Sequence, residues 1–114
     1  MMLRMKRAYD PPSEDDGFRI LVDRIWPRGM SRDQIQIDLW LKDVAPSNEL
    51  RRWFGHDPSR WDEFKERYHQ ELADKDDLID QISEKVSSGD VTLVFGAKDE
   101  KLNNAVALKE YLLR

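Results

Sequence analysis

Cysteine is absent from this 114-residue chain. Without thiols there is no disulfide and no thiolate zinc site, so a reducing, cytoplasmic setting is the expectation. Histidine occurs only twice, as His56 and His69, and the acidic pairs Asp15-Asp16 and Asp76-Asp77 lie in polar stretches that read as solvated. No metal and no cofactor is therefore expected. The chain also lacks long apolar runs: Val91 to Phe95 is among the longest, far below the roughly 20 residues of a membrane helix. After Met1-Met2-Leu3-Arg4-Met5-Lys6-Arg7 no apolar h-region follows, so neither a secretory signal nor a membrane partner is expected. With five glycines there is no G-x-G-x-x-G, no Walker loop and no G-x-S-x-G elbow. A basic excess is missing too. The net charge is −4, which disfavours nucleic acid as a partner.

What is present is enough for one modest core, read as a single domain over residues 1–114. A full TIM barrel or a two-lobed dinucleotide fold cannot fit. Residues 1–57 carry 10 basic and 10 acidic side chains, and residues 58–114 carry 9 and 13, so the negative excess lies in the second half. Arginine and tryptophan are concentrated earlier, with 8 of 11 arginines before residue 58 and the four tryptophans between Trp26 and Trp61.

Leu3 to Tyr9 reads as a short strand ending at Asp10-Pro11-Pro12-Ser13, and Phe18 to Asp23 as a buried strand. Trp26-Pro27-Arg28-Gly29 breaks the chain, and Ser31-Arg32-Asp33-Gln34 fits a capping box. Ile35, Ile37, Leu39 and Leu41 alternate with polar residues or Trp40, which predicts an extended segment. Ser47 caps a helix through Phe54, with Gly55 as its stop; Asp57 and Pro58 start the next. Trp61, Phe64, Tyr68 and Leu72 form an apolar helix stripe, as do Leu78, Ile79, Ile82 and Val86. Val91 to Phe95 predicts a central strand, and Ala105, Leu108 and Leu112 a final helix. The order implies an α/β domain with a three- to four-stranded, mainly parallel sheet flanked by helices. An antiparallel edge strand at Leu3 to Tyr9 is the main variant.

In parallel sheets ligands bind beyond the carboxyl ends of the strands. That rule selects Tyr9-Asp10, the loop from Arg24 through Trp26 and Arg28, and Gly96-Ala97-Lys98-Asp99. Arg24 and Arg28, four apart on a proline-stiffened loop, suit a clamp for carboxylate or phosphate. They equally suit a structural brace, one pairing with Asp23 or Asp43 and the other stacking on Trp26. His56 in a helix corner is the candidate acid/base, with Asp57 or Asp99 orienting it. Asp57 is also explained as a helix cap, and His69 reads as solvated or packing. Asn103-Asn104 either orients a ligand or caps the last helix.

The segments Asp23-Arg24-Ile25-Trp26-Pro27-Arg28-Gly29, Leu39-Trp40-Leu41-Lys42-Asp43 and Leu50-Arg51-Arg52-Trp53-Phe54-Gly55-His56-Asp57-Pro58 resemble the YeaO-like branch of the domain of unknown function 488 family. The resemblance spans nearly the whole chain and implies a small bacterial or archaeal α/β protein of unsettled biochemical role. It matches at Arg24, Trp26, Arg28, Arg51, His56, Asp57, Asp99 and Asn103. Leu102 departs from it, standing where family members commonly have histidine. The resulting expectation is a small anionic ligand, phosphate- or nucleotide-like. It would be held by Tyr9, Asp10, Arg24, Trp26, Arg28, Arg51, Lys98 and Asn103, with His56, Asp57 and Asp99 as the groups for any catalysis. Enzyme status stays open. The competing readings are an interaction or homodimerisation module built on a tryptophan cluster and, more weakly, a nucleic-acid accessory protein; monomer and homodimer both remain.

Overall fold

The computed structural model describes residues 2–114. Strands β1 (Leu3–Arg7), β2 (Phe18–Leu21), β3 (Leu39–Trp40) and β4 (Val91–Phe95) form one sheet in the order β1-β4-β2-β3. Every pairing is parallel, so the antiparallel edge variant does not occur. β4 pairs Leu3 with Val91 on one side and Phe18 with Val91 on the other, and its five residues are all buried. An apolar run without alternation suits that central place, because helices or loops cover both faces of a parallel sheet.

The helices are α1 (Arg32–Ile35), α2 (Asn48–Phe54), α3 (Trp61–Leu72), α4 (Asp76–Ser88) and α5 (Asn104–Leu112). Apolar residues of α2 to α5 join Ile20, Val22, Val91, Leu93 and Phe95 in the main core. The opposite face is thin. Leu21 and Val94 meet Ala8 and Ile35 there, with Trp26, Met30 and Ile37 around them. A polar network completes that face: Asp16 accepts from Lys6 at 3.0 Å and from Arg19 at 2.6 Å, and Arg19 also donates to the Ile35 carbonyl at 2.8 Å. Asp16 and Arg19 are 5% and 3% exposed, so both charges depend on one another.

Two sequence readings require correction. The alternation from Ile35 to Leu41 yields a strand only at Leu39–Trp40, because the Ser31–Gln34 capping box closes a helical turn through Ile35 and Gln36 turns left-handed at φ 51°. The first two strands are also shorter than the apolar runs: β1 stops at Arg7 and β2 at Leu21, which frees Asp23 and Arg24 as loop residues. By contrast, Ser47 and Gly55 do cap α2, and Asp57 starts the turn before α3.

Candidate functional site

Beyond the carboxyl ends of β2 and β4 lies a cleft of about 570 Å³. Asp23 and Arg24 enter from the β2 end, Ala97 from the β4 end, and Asn103 and Asn104 from the start of α5. The other wall is α2 with the segments around it, which supply Pro46, Asn48, Arg51 and Phe54, then His56. Asp23 anchors the floor. Its Oδ2 accepts from the Gly96 amide at 2.8 Å, and its Oδ1 from the Asn104 amide at 3.1 Å. Burial pushes the Asp23 carboxyl above its ordinary range, a rise that those hydrogen bonds and the Arg51 charge only partly offset.

Arg24 is partly braced, as one sequence reading held: Nη2 donates to the Ala45 carbonyl at 3.3 Å and Nη1 stands 3.7 Å from Asp43. The Asp43 side chain is 76% exposed, so solvent weakens that pairing. The Arg24 Nε is buried without a hydrogen-bond partner. Arg51 is exposed on the last turn of α2 and donates to Asn48 Oδ1 at 3.1 Å. Among the described residues no carboxylate lies within 4.0 Å of it. His56 follows the left-handed Gly55 and is itself left-handed, at φ 57°. After glycine, asparagine, aspartate and histidine are the residues that adopt that backbone most often; it costs on the order of 1 kcal/mol and concentrates at functional sites.

Of the residues predicted from sequence, Arg24, Arg51, His56 and Asn103 line this cleft. Asn103 does so as a structural part, its Oδ1 accepting from Val106 N at 3.0 Å to cap α5 and its Nδ2 donating to the Asp99 carbonyl at 2.8 Å. Asp57 does not orient His56. Its Oδ1 accepts from the Ser59 hydroxyl at 2.7 Å and the Ser59 amide at 3.0 Å, bonds that hold its carboxyl low. Asp99 is likewise bound to the Lys101 and Leu102 amides, which lower its carboxyl, with a smaller contribution from the nearby His56 charge. Lys98 is exposed outside the lining.

The Arg24–Arg28 clamp is not formed. The Pro27–Met30 turn, with Trp26 Nε1 donating to the Met30 carbonyl at 2.7 Å, carries Arg28 away to where its carbonyl accepts from Tyr9 at 3.0 Å. Tyr9, Asp10, Trp26 and Arg28 thus stand outside the cleft. Nor do the tryptophans form one cluster: Trp26 packs on Trp40, whereas Trp61 packs on Phe54 and Phe64. His69 is a packing residue, its ring against Tyr111 and its Nε2 2.8 Å from the Ala107 carbonyl. Asn104, named with Asn103 from the sequence, lines the cleft too, as does Leu102, noted there only as a departure from the family, whereas Asp23 and Asn48 were missed as lining residues. The available signal for Asp23 was its place just past a buried strand, directly before Arg24.

A four-stranded parallel sheet with a cleft beyond the carboxyl ends of two of its strands defines a small α/β domain. The chain belongs to the inactive DUF488-N3 subclade, whose family model matches residues 2–114. It is 37% identical to the uncharacterised protein YeaO of Escherichia coli K12, over 98% of this chain and 97% of that protein. Uncharacterised proteins of Mycobacterium tuberculosis and Mycobacterium bovis are 53% identical over 72 residues, 63% of this chain. The match spans 61% of the length of those mycobacterial relatives. No solved structure matches the chain. Among the described residues no helix is long and apolar enough to cross a membrane.

Proposed function

We propose that the protein binds a small anion of phosphate or nucleotide type in the cleft and holds it without transforming it. The observation that carries this reading is Arg51. An exposed guanidinium faces a concave site with no carboxylate in pairing distance, and Arg24 stands across from it. Guanidinium groups bind carboxylate and phosphate bidentately, so an incoming anion supplies the missing countercharge. The left-handed His56 adds support, since its backbone cost is repaid by presenting the imidazole to the same space.

Binding rather than catalysis is favoured by two features. The chain belongs to an inactive subclade, and neither Asp57 nor Asp99 hydrogen-bonds His56; the Oδ1 of each accepts from local amide and hydroxyl donors instead. Leu102 also gives the cleft an apolar wall where a proton donor would otherwise fit. The absence of cysteine supports a cytoplasmic setting.

A thermal-shift series with inorganic phosphate, ribose 5-phosphate and nucleoside monophosphates tests the reading. The unaltered protein is expected to be stabilised by at least one of these, and Arg51→Ala to lose that response. Absence of any response in the unaltered protein would overturn the proposal.

A further inference from the structure

The cleft holds an acid as well as arginines, and a pure phosphate site has no use for one. Asp23 lines the same space as Arg24 and Arg51, yet its carboxylate makes no ion pair within 4.0 Å among the described residues. Gly96 and Asn104 fix it from behind at 2.8 and 3.1 Å, one bond to each oxygen. A carboxylate offers about four acceptor positions, so roughly half its capacity is unused. The support is rigid. Asn104 is itself tied to the Val22 carbonyl at 3.1 Å, and the Asp23 carbonyl accepts from Trp40 Nε1 at 2.7 Å.

We infer that Asp23 is a specificity-determining residue that accepts an N–H of the ligand, so that the ligand carries both an anionic group and a nitrogen donor, as in a nucleoside monophosphate with an amino-bearing base. This rests on the anion-binding reading above. The remaining walls fit the same class. Ile25, 65% exposed, and the half-buried Leu102 offer apolar surface for a planar ring, and about 570 Å³ far exceeds the needs of phosphate alone. The partial burial of Asp23 agrees, because a partly desolvated acceptor gains more from a donor than an exposed one. A ligand that lacks the N–H leaves this group unmatched, the arrangement that gives polar sites their strong discrimination.

Calorimetric titrations decide the point. The ligands are the monophosphates of adenosine, cytidine and guanosine, compared with ribose 5-phosphate and with purine riboside 5′-monophosphate, whose base has no N–H. At least one amino-bearing monophosphate is expected to bind roughly ten- to hundredfold more tightly than both comparison compounds, the range for a hydrogen bond to a charged group. Asp23→Asn should erase most of that preference while ribose 5-phosphate binding persists. The ligand series on the unaltered protein decides by itself if the variant fails to fold. Equal affinity for all five compounds overturns the role of Asp23 but leaves anion binding standing. No binding of any of them overturns both.

Discussion

Asp23 and Gly96 lie 73 positions apart in sequence, yet the Gly96 amide donates to Asp23 Oδ2 at 2.8 Å, tying the loop after β2 to the loop after β4. Strand pairing makes this contact possible: β2 and β4 are neighbours in parallel register, so their exits emerge side by side. The floor of the cleft is thus a direct consequence of the sheet order.

Glycine at position 96 leaves room for that contact. A Cβ there would sit 3.1 Å from Asp23 Oδ2, so in Gly96→Ala the carboxylate has to give by a few tenths of an ångström. We expect the variant to lose about 1 kcal/mol of stability, the low end of the cost of overpacking because the crowded atom ends a side chain, as measured by urea denaturation. Its selectivity between ligands should fall with it.

His56→Gly separates stability from binding. Glycine takes the left-handed backbone freely, so the variant is expected to gain about 0.5–1 kcal/mol despite its more flexible unfolded chain. Anion binding should weaken at the same time. A loss of stability would show that the imidazole is a packing element.

The Asp16–Arg19 pair predicts a large structural effect far from the cleft. Asp16→Ala leaves Arg19 buried without its partner, and removing one member of a buried pair costs about 3–5 kcal/mol. Chemical denaturation measures it directly. Ligand selectivity in any fraction that remains folded should be unchanged.

The buried Asp16 and the half-buried Asp23 predict opposite pH behaviour. Burial raises the Asp16 carboxyl, but the hydrogen bonds from Lys6, Ser13 and Arg19 outweigh it and the net shift is downward. Its contribution is therefore complete above the ordinary carboxylate range and is lost as pH falls through the lowered folded value. Asp23 is raised, so the folded state holds its proton more tightly and stability declines as pH climbs from the ordinary carboxylate range through the raised value. Stability curves against pH should lose that decline in Asp23→Asn and keep it in Asp16→Asn.

Much of this architecture was legible in local chemistry. Ser47, Gly55, Asp57 and Pro58 mark helix ends through short-range hydrogen bonds and backbone preference, and the structure places the ends there. The unbroken apolar run Val91–Phe95 likewise identifies the central strand. The alternation from Ile35 to Leu41 misled because a capping box only four residues earlier decides the conformation of Ile35. The cleft was less legible for a different reason. Arg24 and Arg28 look equivalent in sequence, and only the Trp26 bond to Met30 and the turn around Gly29 send one inward and the other toward Tyr9. Asp23 was visible merely as a counterion, because its value as an acceptor depends on Gly96 and Asn104, which are more than seventy residues away.

Titration of ribose 5-phosphate into the unaltered protein, Arg28→Ala and Arg51→Ala tests the central claim most directly. The account predicts saturable binding that Arg28→Ala leaves unchanged and Arg51→Ala weakens by roughly ten- to hundredfold. Binding lost in Arg28→Ala and kept in Arg51→Ala would contradict it.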